Sequence, residues 1–156
     1  MQQPPPVLEL LQELADFATA VMTALSSETI DWYWRPASGE WSLTEVCCHL
    51  RDVEIEVHQA RFKALIAQEN AFIPGATPDE WVAKRGYQQE NGRSAFNTFY
   101  QFRRETIDLL SGLDETLWQR RGSHSFFGPT SMHELLNLVV GHDRAHWQQV
   151  QSLLNH

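Results

Sequence analysis

Apolar residues recur every three or four positions along four long stretches of the chain, the spacing of helices with one buried stripe. The first stretch follows the prolines at 4–6 and runs through Val7, Leu10, Leu11, Leu14, Phe17, Ala18, Val21, Met22 and Leu25. The second steps through Leu43, Val46, Leu50, Val53, Val57, Ala60 and Ala64 and is expected to end near Gln68. Ser42 and Glu45 stand at its start with the spacing of a capping box, in which each satisfies a backbone N–H of the first turn. The third covers about 94–111, with Phe96, Phe99, Tyr100, Ile107 and Leu110 and a stop at Gly112. Ser131 and Glu134 form a second capping box, and the helix they open runs almost to the last residue. Residues 70–92 hold Pro74, Gly75, Pro78, Gly86 and Gly92, too many breakers for a long helix, so they read as a crossover. Residues 122–129 read as a loop, and nothing alternates with period two over a strand's length. The pattern predicts an all-α four-helix bundle with one long crossover. It forms one domain over 1–156, with residues 1–6 as a flexible lead-in.

Charge narrows the partners. Twelve Lys and Arg against twenty Asp and Glu leave a formal charge of −8, the wrong sign for a protein that holds nucleic acid by its phosphates. No apolar run approaches the ~18 residues of a membrane span. The first basic residue is Arg35, so the start lacks the positive region of a secretory signal, and a cytoplasmic location is expected. The two cysteines, Cys47 and Cys48, are adjacent, which suits neither a staple between distant segments nor a redox CxxC. They read as small buried hydrophobes.

The last helix carries the chemical signal. Its inward stripe runs Met132, Leu135, Val139, His142, His146, Gln149 or Val150, Leu153, placing two histidines where a bundle has Leu or Val. Residues i and i+4 lie 40° apart, so both imidazoles point into one space. Burying two polar rings side by side is unfavourable unless something satisfies them, and a divalent metal does so through their lone pairs. A complete site needs a third ligand, and His49, beside the seam of the second helix, is best placed. His58 lies nine residues beyond His49 and His133 nine before His142, on the opposite helix faces by regular α spacing. With His124 in a loop and His156 at the end, these four read as solvated or rim residues. Asp52 and Glu56 share His49's side at +3 and +7 and are candidates to orient a ring or accept a proton, although pairing with arginine is the plainer reading. Trp81, Phe126 and Phe127, in loops, are candidate walls of a pocket at the end of the bundle.

The residues Trp34-Arg35-Pro36 and Gly39-Glu40-Trp41-Ser42-Leu43-Thr44-Glu45, followed by His49-Leu50-Arg51-Asp52-Val53-Glu54, resemble the opening half of the DinB-like (DinB/YfiT) superfamily. Gly141-His142-Asp143-Arg144-Ala145-His146 resembles its closing HxxxH helix. The resemblance spans about 7–153. It implies a four-helix bundle with a divalent metal on His49, His142 and His146, and pairing into a homodimer. Three imidazoles leave a coordination position open, the catalytic arrangement, and zinc or nickel suits such ligands. Similar family members include thiol-dependent transferases, so the first expectation is a transferase acting on small molecules, in which a low-molecular-weight thiol binds the metal and attacks an electrophile. A hydrolase using metal-activated water is the first alternative. A non-enzymatic metal-stabilised binding or sensing module is the second.

Overall fold

The computed structural model describes residues 3–156. Helix α1 (Val7–Ala24) is followed by α2 (Leu43–Val53), a π-helical segment (Glu54–Gln59) and α3 (Ala60–Ala67), which continue one another as a single rod. The crossover carries a short strand β1 (Phe72–Ile73), a 3-10 turn (Pro78–Glu80), the single-turn α4 (Trp81–Lys84) and a second 3-10 turn (Tyr87–Gln89). Then come α5 (Gly92–Ser111), a third 3-10 turn (Glu115–Gln119), strands β2 (Arg121–His124) and β3 (Gly128–Ser131), and α6 (Met132–Leu154). The rod begun by α2 packs along α5 and the long α6 along α1, closing the four-helix bundle. Both capping boxes form: the Ser42 and Ser131 hydroxyls accept from Glu45 N and Glu134 N, and each glutamate side chain accepts from the cap's backbone N–H. Among the described residues, no helix is long and apolar enough to cross a membrane. The expected lead-in at 1–6 falls partly outside the described residues, and Pro5 accepts a hydrogen bond at its carbonyl from His133 Nε2 at 2.6 Å.

Two features depart from the periodicity. The loop expected over 122–129 contains a small sheet, with β1 parallel to β2 and β2 antiparallel to β3. Its strands alternate inward and outward, but the inward residues of β2 are Gly122 and His124 rather than hydrophobes, so an apolar period of two never appears. The hairpin turns over residues 125–127 into Gly128 at φ +68°, a left-handed backbone that glycine adopts without steric cost. Gly122 is required for another reason. A Cβ there would lie 2.7 Å from the Ala71 carbonyl oxygen and 2.8 Å from the Ile73 and Leu65 side chains. Gly122→Ala is expected to lower stability by about 1–3 kcal/mol through overpacking. Urea denaturation reads this directly, and an unchanged midpoint would contradict the close approach.

The other departure is the π-helical segment inside the second rod. Each residue of an i→i+5 turn advances the chain by less than the 100° of an α-helix. Everything beyond Val53 is therefore rotated relative to regular α spacing, and His58 is carried away from the solvent-facing side. It is 7% exposed and packs edge-on against His142. The rim position expected for His58 is thus replaced by a buried one. His124 is corrected too: it lies in β2, 3% exposed, and its Nδ1 accepts from the backbone N–H of Phe126 and Phe127. In α6, which has no such irregularity, His133 is half-buried at the surface, and His156 is exposed and stacks on Trp34.

Apolar packing forms two clusters along the bundle. One gathers Phe17, Val21, Val46, Leu50, Phe99 and Val150, with Cys47 and Cys48 fully buried among them. Burial pushes both thiols up, Cys48 to about 12. The other gathers Leu14, Phe62, Leu65, Leu110, Leu136 and Val139. On three helical rods a charged residue separates the two clusters in sequence: Glu54 lies between Leu50 and Phe62, Arg103 between Phe99 and Leu110, and Asp143 between Val140 and Val150. These three residues meet in an ion-paired layer across the core.

Candidate metal centre

The ligand-bearing elements are α2, whose start is fixed by the Ser42 capping box, and α6, whose start is fixed by Ser131. Regular α geometry from these caps brings His49, His142 and His146 into one cluster. His142 Nε2 lies 3.3 Å from His49 Nε2 and 3.0 Å from His146 Nε2. Around an ion with metal–nitrogen bonds of about 2.1 Å, neighbouring ligand nitrogens stand about 3.0–3.4 Å apart for angles between ~90° and ~109°. The observed separations match that edge length.

Protonation agrees with a ligand set. The His146 Nδ1–H donates to Gln149 Oε1 at 2.8 Å, which leaves Nε2 with its lone pair facing the cluster and fixes the ring as outer partners do at metal sites. Burial lowers the pKa of all three histidines. For His49, burial and the neighbouring His146, opposed by Asp52, bring it down to about 3. His142 falls well below its ordinary value through burial and the adjoining His58, His146 and His49. His146 is lowered by burial against the opposing effects of Gln149 and Asp79. Three neutral imidazoles with converging nitrogens repel one another unless a cation or shared protons lie between them. Nδ1 of His49 and of His142 are buried with no partner, a cost that an ion on the Nε2 atoms leaves in place. The donor set therefore fits a divalent cation held by His49, His142 and His146.

The cluster opens on one side. A cavity of about 540 Å³ is bounded by His142, His146, Gln149, Trp41, Glu40 and Asp79, with Pro36, Gly39, Ser152 and Leu153 completing it. Trp41 roofs the cluster, its ring 4.9 Å from His49 and nearly parallel to His146 at 6.2 Å. The walls expected from the sequence are elsewhere. Trp81 packs against the core and under the Arg85 guanidinium at 4.0 Å. Phe126 lies over Gly75, and Phe127 lines a different cavity. Asp52 and Glu56 stand in an arginine network. Asp52 accepts from Arg51 at 2.7 Å, from Arg85 at 3.0 Å and from Tyr87, and Glu56 is also bound by Arg85. Burial raises Asp52, but its hydrogen bonds from Arg51 and Tyr87 outweigh this and hold it below the ordinary carboxylate range. A carboxylate so committed is a weak proton acceptor.

Periodicity had no means to find Asp79, Glu40 or Trp41, which reach the site from irregular segments. Gln149 had a local signal, three residues beyond His146 on the same face.

The fold and the converging imidazoles define a four-helix-bundle protein with a candidate metal centre between α2 and α6. The sequence matches the DinB superfamily model over residues 10–150, and the chain belongs to that superfamily. No curated protein matches it. Among solved structures it is similar to one described as YfiT from Bacillus subtilis, "a probable metal-dependent hydrolase with an unusual four-helix bundle topology". The two superpose with a TM-score of 0.82 at 17% identity, covering 98% of this chain and 91% of that one. The likeness at this identity is one of fold.

Proposed function

We propose that this protein is a metal-dependent hydrolase of small molecules, with His49, His142 and His146 as ligands of a divalent metal such as zinc or nickel. The observation that carries this reading is the convergence of three neutral imidazoles, two of which, His142 and His146, line a cavity whose charged lining is acidic, from Glu40 and Asp79. The cation supplies Lewis acidity there, making water a nucleophile at neutral pH and polarising a substrate carbonyl. The chain's own part is to hold the three ring nitrogens in place, with Gln149 fixing His146 and Trp41 shielding the cluster from bulk water. Asp79, exposed on its 3-10 turn at the cavity wall, is the carboxylate available to take a proton from the attacking water and return it to the leaving group. It takes the role that the sequence suggested for Asp52 or Glu56.

The same lining argues against the thiol-transferase expectation. Low-molecular-weight thiols of the glutathione type carry carboxylates, and neither Lys nor Arg lines this cavity to receive them. Neutral or cationic esters and amides suit it better. The description of YfiT as a probable hydrolase supports the same choice. The test is a panel of ester and amide substrates, run with zinc- or nickel-loaded protein beside thiol-plus-electrophile assays. Hydrolysis is expected, with Asp79→Asn lowering kcat by about 10²–10⁴ and Glu40→Gln having a smaller effect. Turnover confined to the thiol assays would overturn the reading, and silence in both would leave a metal-stabilised binding module.

A further inference from the structure

A second cavity, of about 190 Å³, lies toward the N-terminal half of α6 and shares only His142 with the first. Its walls are apolar, from Val53, Val57, Phe62, Leu135 and Val139, and its residues Phe127 and Leu138 are 62% and 40% exposed. Three polar side chains interrupt this lining: Arg61, His58 and the shared His142.

Arg61 is anomalous. It is half-buried, its Nη2 donates to the Pro74 carbonyl oxygen at 3.2 Å, and it takes part in no ion pair among the described residues. Burial lowers its pKa, with no carboxylate to offset the effect. In a chain of net charge −8, acidic partners are abundant, yet none reaches this guanidinium. His58 supplies an independent sign. It is 7% exposed, and its Nε2 has no hydrogen-bond partner. A desolvated cation and an unsatisfied imidazole beside one cavity are unfavourable features unless an anion joins them.

We propose that this cavity binds a small apolar monocarboxylate, its carboxylate on the Arg61 guanidinium and its hydrocarbon part against Phe62, Leu135 and Val139. The guanidinium fork matches a planar carboxylate in two parallel hydrogen bonds. The volume corresponds to about six waters at ~30 Å³ each, room for one ring or a short branched chain. A lone guanidinium among apolar walls suits a monoanion with a greasy body better than a phosphate, which is more strongly hydrated and calls for several donors. The site touches the metal centre through His142 alone, and its carboxylate contact is made by Arg61, so it does not rest on the hydrolase reading.

Benzoate, with benzamide as its neutral counterpart, tests this by calorimetry and by nuclear magnetic resonance of the cavity side chains. Benzoate is expected to bind in the millimolar range or tighter, and benzamide at least about tenfold more weakly. Arg61→Gln should weaken benzoate by at least about tenfold, as loss of one member of a desolvated charge pair does. Leu138→Trp, a change at the partly exposed lining that does not disturb the core, should block both ligands. Binding should persist in His146→Ala, which cannot assemble the metal centre. Equal affinity for benzamide, full benzoate affinity in Arg61→Gln, or loss of binding in His146→Ala would each overturn the proposal, as would no binding by the parent protein.

Discussion

His142→Ala is expected to lower affinity for zinc or nickel by at least about a hundredfold, beyond what loss of an outer-shell partner usually brings. His142 is central to the cluster: its Nε2 lies within 3.3 Å of the other two ring nitrogens. Removing it leaves His49 on α2 and His146 on α6 without the ring that bridges them. Two further variants sharpen the test. Gln149→Leu keeps all three ligands but frees the His146 ring, and should cost about 10–100-fold in affinity. His133→Ala, on the far face of the same helix, should change nothing at the metal. Competition with a chromophoric chelator measures all three. Equal metal affinity in parent and His142→Ala would remove the metal centre and, with it, the hydrolase reading.

Much of this site could be read from the chain because its signals are local. The HxxxH pair and His49 sit on the inward stripes of regular helices whose starts are marked by capping boxes, and 3.6-residue periodicity carries through to their placement. The readings that failed did so for identifiable reasons. His58 lies within a π-helical segment, so counting at 100° per residue put it on the wrong face. The β2–β3 hairpin buries glycine and histidine rather than a row of hydrophobes. Asp79, Glu40 and Trp41 reach the cavity from segments with no period at all. Trp81 and Phe126 had the composition of pocket walls but line neither cavity, and Phe127 walls the second rather than the first, because where an irregular segment lands depends on tertiary packing that spacing does not encode. Arg103, Glu54 and Asp143 were invisible for another reason. A charged residue in a helix ordinarily faces solvent, and these satisfy one another only across separations of 40 and 49 residues.

Arg103→Met is expected to destabilise the fold by about 3–5 kcal/mol, a large share of the roughly 5–15 kcal/mol that holds a domain together. The guanidinium is 1% exposed and uses all five N–H groups. Nε and Nη2 donate to Glu54 at 3.0 Å, Nη1 and Nη2 donate to Asp143 at 2.7 and 2.9 Å, and Nη1 also reaches the Leu14 carbonyl at 3.3 Å. Phe99 lies against its face, 4.9 Å away. One residue thus ties α5 to α6, to α1 and to the π-helical segment. Methionine fills comparable volume but leaves two buried carboxyls without a cation. Even with Arg103 present, burial raises Asp143 to about 6. In the variant Asp143 loses the cation that opposes this effect, so the folded state holds a proton that the unfolded chain releases near pH 4, and the stability deficit grows as pH rises above that value. Replacing the whole layer, as Arg103→Met with Glu54→Leu and Asp143→Leu, removes the stranded charges and should recover most of the loss. Denaturant unfolding of the single and triple variants at pH 5 and pH 8 separates the two effects. A single variant as stable as the parent at pH 8, or a triple variant no better than the single, would show that this layer does not bind the helices together as its geometry indicates.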